Sequence, residues 1–389
     1  MNRPELFFVF INLGVLGSIP LFGLQYNINY IEVYLLIGFI YSLFFLFKRK
    51  IEFSKLDLVY CVTLSIVFLY SLILFYFSPH GVTILPGSLT VFYMLISYVF
   101  SVINKKEFVK NFYKAIRWMT LAITIQLLYV FFIDNSGFSS NYYGLKNEAK
   151  TLMGSSNYLS FFLVFSIIYE VITRKQNWLI FSSVSSVGLI LTLSKGGFLS
   201  LLLSIFLYII LIFSNKETSK KKARNALIFS FLTLFIVFFI LSNVDFGKQL
   251  FGNLLYNINE PGAGRIPLWD KAIFSIQSNF LGTGITYVDD PHNLLLKSIR
   301  DLGIITGLLY ISLMLFPILK IFRIEKMKKF TVEEIALVSS YSSIVIHSLF
   351  EIFYFDTLSA IWIGVILMVI NQEFSKKNKI NEIRLEIEE

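Results

Sequence analysis

The chain consists largely of apolar runs that are each about as long as a bilayer is thick. A helix needs roughly 20 mainly apolar residues to cross a membrane. The runs that approach this length lie at residues 6–24, 30–47, 56–77, 82–103, 115–133, 157–172, 178–194, 197–213, 226–242, 303–322, 334–354 and 356–371. Lipid offers no partners for unpaired backbone groups, and these runs lack the alternation of barrel strands. The sequence therefore predicts an all-α polytopic membrane protein with about twelve transmembrane helices.

Composition agrees with this prediction and excludes a soluble protein. Hydrophobic residues make up 56% of the chain and charged residues 15%, whereas a soluble domain carries roughly a quarter charged residues. The net charge of +9 does not require a nucleic-acid partner, because Lys and Arg collect in cytoplasmic loops and near anionic lipid headgroups. We therefore expect membrane lipids as partners and no nucleic acid.

The distribution of basic residues predicts how the chain is oriented. Most of the 34 Lys and Arg residues fall at the termini and in alternate connections, so both termini should be cytoplasmic. We expect a single transmembrane domain over residues 1–371 and a cytoplasmic tail over residues 372–389. Within the domain, residues 243–302 are predicted to form a large extracytoplasmic loop.

Arg265 lies in this loop, at the entry to a predicted amphipathic helix. Pro267 suits a first helical turn, and apolar residues follow at helical spacing. The pattern indicates a helix that lies on the membrane surface. Arg265 would then bind either a substrate anion or the phosphate of a lipid.

His292 lies further along the same loop, in the sequence DDPHN of residues 289–293. Asp290 is predicted as a helix N-cap and Pro291 as the first helical residue. His292 would lie in the first turn, where the positive end of the helix dipole disfavours imidazolium. A neutral histidine there can act as a general base. An interfacial histidine with no chemical role fits the same pattern.

Lys195 is a third outward cation, between two predicted spans with no aqueous loop to hold it. Gly196 and Gly197 allow helix ends to approach closely or backbone N–H groups to face an anion. A lysine that extends from a helix end to the headgroups is the alternative. Together with Arg265 and His292, Lys195 would supply the cations that a pyrophosphate requires.

A different kind of site would lie within the membrane. His347 and Glu351 are four residues apart in one predicted span and hence on one helical face. They form either a functional site or a polar contact between packed helices.

Several classes of site leave no trace in the sequence. It contains no Gly-rich phosphate loop, no His-Glu-x-x-His zinc motif and only one cysteine, Cys61. We therefore predict no metal and no cofactor.

These residues resemble the family of O-antigen ligases and Wzy-type polysaccharide polymerases. The family's late outer-loop signature is His-Asn, nine residues, Gly, two residues, and Gly, Thr or Tyr. Here His292-Asn293 is followed after nine residues by Gly303, and Thr306 completes the pattern. The family's Arg before Leu or Trp is similar to residues 264–269 (GRIPLW).

Two earlier segments extend the resemblance, which runs from about residue 154 to residue 307. The family's Leu-Thr-x-Ser-Arg-Gly segment is similar to residues 191–196 (LTLSKG), with Lys195 in place of Arg. Lysine keeps the charge but loses the bidentate fork of arginine. Residues 154–157 (GSSN) resemble the family's Gly-Asn-x-Asn segment.

The resemblance implies a membrane glycosyltransferase with a GT-C-like architecture in the bacterial cytoplasmic membrane. A glycan on polyprenyl pyrophosphate would be the donor, and a sugar hydroxyl of the acceptor would attack the anomeric carbon. His292 would act as the base or orient the acceptor, and Arg265 and Lys195 would hold the pyrophosphate. Four further residues are expected to support the site: Asn293, Asn157, Glu351 and His347.

Three functions remain open at this point. In a polymerase, which we prefer, the acceptor is another lipid-linked repeat. The sequence leaves open whether a polymerase would also need a chain-length regulator as a partner. In an O-antigen ligase, the acceptor is lipid A core or a protein. In a transporter or flippase, His347 and Glu351 would couple transport to an ion gradient, but no internal repeat supports that function.

Overall fold

The computed structural model describes residues 18–20, 27–46, 53–77, 81–134, 149–152, 154–214, 265–321, 330–351 and 353–388. Eleven α-helices lie in these ranges: α1 (Tyr30–Leu46), α2 (Lys55–Phe77), α3 (Gly81–Ile103), α4 (Lys105–Tyr129), α5 (Ser156–Thr173), α6 (Trp178–Thr192), α7 (Lys195–Ser214), α8 (Arg265–Ser278), α9 (Leu294–Ile321), α10 (Val332–His347) and α11 (Thr357–Glu388). A π-helical turn (Val130–Asp134) follows α4, and a 3₁₀ turn (Phe353–Phe355) precedes α11. Two short antiparallel pairs, Ser18–Pro20 with Asn27–Asn29 and Lys150–Thr151 with Gly154–Ser155, are the β-structure of the described ranges.

The all-α polytopic prediction is confirmed. In the described part of the chain, seven helices are long and apolar enough to cross a membrane. A further apolar helix, α6, has only 15 residues. The predicted spans at 6–24 and 226–242 lie almost wholly outside the described residues, so the count of twelve stays a prediction.

Two predicted spans are shorter than the helices that contain them. The span predicted from residue 115 lies in a helix that begins ten residues earlier, at Lys105, and the span predicted to end at residue 371 lies in a helix that continues to Glu388.

Two further predicted span boundaries are wrong. The span predicted from residue 303 begins nine residues earlier, at Leu294, and residue 303 is instead a kink inside α9. The span predicted to reach residue 354 ends at His347. Beyond that residue the backbone tightens, because the N–H of Phe350 bonds the carbonyl of His347 at 2.9 Å. The apolar run continues, but its backbone leaves the helical path.

The chain divides into two compact units. Unit 1 comprises residues 1–116, 272–317 and 352–389, and unit 2 comprises residues 117–271 and 318–351. The expected single domain, outer loop and tail stay predictions.

The core of unit 1 is formed where α3 packs between α2 and α11. Gly364 makes the close approach possible, since a Cβ there would lie 2.1 Å from Ser97 Oγ. A buried polar chain connects the three helices: the Tyr98 hydroxyl donates to Asp57 at 2.7 Å and accepts from Asn371 at 2.7 Å. These three buried polar side chains are therefore paired, as a core of low polarity demands.

In unit 2, α5 packs against α6, α7 and α10. The guanidinium of Arg117 forms two hydrogen bonds to Glu170, at 2.5 and 2.7 Å, and lies over the ring of Phe181. Small residues allow tight contacts here as well, since a Cβ on Gly188 would lie 2.5 Å from Thr124 Oγ1. These contacts hold α4 against α5 and α6.

Candidate active site

Arg265 begins helix α8, two residues before the predicted start at Pro267. Its Nη2 lies 2.9 Å from Glu351 Oε1, in an ion pair whose side chains are 25% and 7% exposed. Glu351 lies in the turn after α10, not on that helix. The structure thus brings together two of the predicted site residues through a contact that their sequence positions did not suggest.

Asn157 and Ser194 extend this contact into a continuous chain of hydrogen bonds. The Asn157 side-chain amide donates to Glu351, and its carbonyl oxygen accepts from the Ser194 hydroxyl at 3.0 Å. We call Asn157, Ser194, Arg265 and Glu351 the Arg265 cluster. Ser194 was not among the predicted site residues, although a serine at the junction of two predicted spans is a typical N-cap signal.

Three helices begin at the Arg265 cluster. Asn157 is the second residue of α5, Arg265 is the first of α8, and Ser194 caps α7 by accepting from the N–H of Gly197 at 3.1 Å. Lys195, half-buried, is the first residue of α7. Helix N-termini carry partial positive charge and favour anions. The cluster, together with the neighbouring Lys195, therefore combines three such ends and two cations with one carboxylate.

His347 is fully buried and packs against the start of α7. A Cβ on Gly196 would lie 2.7 Å from His347 Nε2, so only glycine allows this approach. The prediction that His347 and Glu351 share a helical face is wrong, because α10 ends at His347.

His292 and Asn293 lie in unit 1, in the segment before α9. The predicted caps are wrong by three residues: α9 begins at Leu294, and Asn293 Oδ1 accepts from the N–H groups of Leu295 and Leu296 at 2.9 and 3.1 Å. His292 therefore precedes the helix, with a left-handed φ of +47°. Its N–H donates to Asp290 Oδ1 at 2.8 Å. The helix-dipole argument for a neutral His292 no longer applies, and its role as a base stays a prediction.

Of the four charged residues that surround this segment, only Asp290 was given a role from the sequence, as a helix N-cap. Lys297 Nζ lies 2.7 Å from Asp290 and 3.1 Å from Asp301, and Arg300 Nε lies 2.6 Å from Asp301. All four side chains are buried. We call Asp290, Lys297, Arg300 and Asp301 the Lys297 cluster. The available sequence signal was a set of charges interrupting an apolar run.

The glycine of the His-Asn signature has a structural role in unit 1. Gly303 has a φ of +76°, and a Cβ there would lie 2.4 Å from the carbonyl oxygen of Leu281. The kink frees the carbonyls of Arg300 and Asp301, which accept from Thr283 and Gly284 at 3.1 and 2.9 Å. Glycine permits both the left-handed backbone and the close approach.

Within the described ranges, no group of three or more His, Cys, Asp or Glu side chains is placed to hold a metal ion. The expected independence from metals stays a prediction. In both clusters the anionic side chains lie against cations, an arrangement that suits anion binding or internal pairing.

Residues 179–311 match the O-antigen ligase family model. The matched region includes Lys195, Arg265 and the His292-Asn293 signature, and it supports the O-antigen ligase side of the resemblance. The match does not distinguish a ligase from a polymerase. No curated protein matches the chain. The match points to glycan transfer of the O-antigen ligase type.

Proposed function

We propose that this protein is a membrane glycosyltransferase that moves a glycan from polyprenyl pyrophosphate to an acceptor hydroxyl. The reaction would take place on the outer face of the bacterial cytoplasmic membrane. The observation that carries the proposal is the Arg265 cluster, whose Arg265 lies within the residues that match the O-antigen ligase family.

In this proposal Arg265 and Lys195 bind the pyrophosphate of the donor. The arginine fork suits bidentate contact with phosphate oxygens, and lysine adds a second positive charge. Glu351 and Asn157 hold Arg265 at the start of α8, so its orientation is set before the donor binds. Positive groups fixed in advance stabilise the negative charge that develops on a departing pyrophosphate.

The chemistry needs no other reactant. The acceptor oxygen forms a bond to the anomeric carbon, while the bond from that carbon to the pyrophosphate oxygen breaks. His292 takes the proton of the acceptor hydroxyl, and the lipid pyrophosphate leaves with the bonding electron pair. Because the donor is already activated, no nucleotide is required outside the cell.

The test is the lipid-linked glycan profile of cells that carry Arg265→Ala or His292→Ala at normal membrane abundance. Lys271→Ala is the matched control for Arg265, since Lys271 is an exposed cation on the same helix. We expect both site variants to lose surface glycan and the control to keep it. An unchanged profile in His292→Ala would remove that residue from catalysis.

The same profile separates the two acceptors. Single repeats that accumulate on the polyprenyl carrier, together with loss of long surface polymer, would indicate a polymerase. Long lipid-linked chains would indicate a ligase, the function closer to the family match. Activity of the purified protein in detergent, without an ion gradient, would exclude the transporter function.

A further inference from the structure

Lys297 is a lysine with no exposed surface, and its contacts converge on the segment that carries His292. Besides Asp290 and Asp301, its ammonium group donates to the carbonyl oxygen of Thr286. The rings of Tyr287 and Phe355 lie 5.1 and 5.5 Å from Nζ. Three oxygen atoms and two aromatic rings of unit 1 therefore surround the ammonium group.

A short path connects this ammonium group to the backbone of His292. Lys297 Nζ lies 2.7 Å from one oxygen of Asp290, and the other oxygen accepts from the His292 N–H at 2.8 Å. Each carboxylate oxygen thus has one partner, and the carboxylate cannot rotate without losing one of them. The position of His292 is coupled through Asp290 to a fully buried side chain.

The backbone of this segment requires such restraint. Both Asp289 and His292 have a φ of +47°, a conformation that residues other than glycine rarely adopt. Arg300 holds the same segment from the side, since its Nη1 donates to the carbonyl of Asp289 at 2.7 Å. Lys297 and Arg300, one turn apart on α9, therefore fix residues 286–292 at several points.

Stability alone does not account for a lysine in this place. Apolar side chains can often replace a buried ion pair without loss of stability. A buried ion pair can instead fix the positions of the groups to which it is hydrogen-bonded. The Arg117–Glu170 pair of unit 2 offers a contrast, because its hydrogen bonds join side chains of two helices, α4 and α5. The bonds of Lys297 end on the loop that carries His292.

We propose that Lys297, acting through Asp290, is a positioning residue that holds His292 in its working orientation. This inference rests on the proposed function for the role of His292, but the geometry itself is measurable without activity. Lys297→Met would release Asp290 and the carbonyl of Thr286 while keeping a side chain of similar length. His292 would then sample other orientations.

The test uses the full-length protein in detergent with ¹³C-labelled histidine. The chain has three histidines, His80, His292 and His347, so His292→Ala assigns the decisive ring signal. In Lys297→Met we expect the His292 signal to shift or broaden while the His347 signal stays in place. The control Arg117→Met also leaves a buried carboxylate without its cation, and we expect it to leave the His292 signal unchanged.

Kinetics provide the second readout. Misplacement of a catalytic group by about 1 Å can lower a rate by up to about 100-fold. We expect Lys297→Met to lower kcat per folded molecule at least about tenfold, with the donor KM within about threefold of wild type. Arg117→Met should keep kcat within about twofold.

Asp290→Asn is the milder second variant, in case Lys297→Met does not fold. Asparagine keeps an acceptor for the His292 N–H but loses the charge that pairs with Lys297, so the same signal should move by a smaller amount. An unmoved His292 signal in the folded variants, or an equal shift in Arg117→Met, would overturn the inference. An active His292→Ala would instead overturn the catalytic role of His292 on which this inference rests, whatever the signals show.

Discussion

Replacing Glu351 with alanine removes the carboxylate that accepts from both Arg265 and Asn157. A hydrogen bond to a charged group contributes about 1.5–3 kcal/mol, and loss of one partner of a buried pair costs about 3–5 kcal/mol. The Arg265 side chain is 25% exposed, so water can solvate part of its released charge. We therefore expect Glu351→Ala to lower the free energy of unfolding by about 3 kcal/mol.

Two further variants test the reasoning behind this number. Glu351→Gln keeps an oxygen that accepts from Asn157, so its loss should be about half as large. The double variant Arg265→Ala with Glu351→Ala removes both charges, and it should cost about 1–2 kcal/mol less than the sum of the single variants. Unfolding in mixed detergent micelles measures these differences.

The Arg117–Glu170 pair is the internal benchmark. Its side chains are 10% and 1% exposed and its two bonds measure 2.5 and 2.7 Å. Because it is drier and bidentate, its coupling energy should exceed that of Arg265 with Glu351. If the effects of Arg265→Ala and Glu351→Ala add within about 0.5 kcal/mol, the ion pair does not stabilise the protein, and the expected loss of about 3 kcal/mol in Glu351→Ala has no basis.

Two other predictions concern unit 1. Gly303→Ala adds a Cβ 2.4 Å from the Leu281 carbonyl oxygen at a φ of +76°, so it should lower unfolding free energy by about 2–4 kcal/mol. Gly38→Ala, which meets only the Phe100 ring at 3.2 Å, should cost much less, and equal melting temperatures for the two would contradict this. Burial raises the pKa of Asp356, and hydrogen bonds from Ser359 lower it. Because a raised pKa means that the native state binds more protons than the unfolded chain, ionisation costs stability as pH rises above about 4. Asp356→Asn should therefore gain stability relative to wild type over that range, and a melting-temperature difference that does not grow with pH would refute it.

Helix bounds were predictable wherever an apolar run was uninterrupted. Helices α2, α5 and α7 begin and end within two residues of the spans predicted at 56–77, 157–172 and 197–213. Hydropathy is a local property, and lipid requires an apolar helix of a fixed minimum length. The same local reasoning placed Lys195 between two helices and Arg265 at the start of a third.

Prediction failed where the environment of a residue depends on partners elsewhere in the sequence. Three charged residues interrupt the apolar run here, namely Lys297, Arg300 and Asp301. Hydropathy therefore predicted the start of α9 too late in the sequence. Their charges are offset by one another and by Asp290, and hydropathy counts each charge separately. Likewise, no local signal ended α10 at His347, because the apolar run continues beyond it.

By itself, the sequence determined that this protein is built from membrane-spanning helices and which of its residues resemble the motifs of the O-antigen ligase family. Only the tertiary structure decided that Glu351 joins Arg265 and Asn157, which lie 86 and 194 residues away along the chain. It also decided that His292 precedes its helix and that Asp290 contacts both the His292 N–H and Lys297. The physical reason is that apolar length and charge are properties of a segment, whereas a hydrogen bond between distant residues depends on how the helices pack.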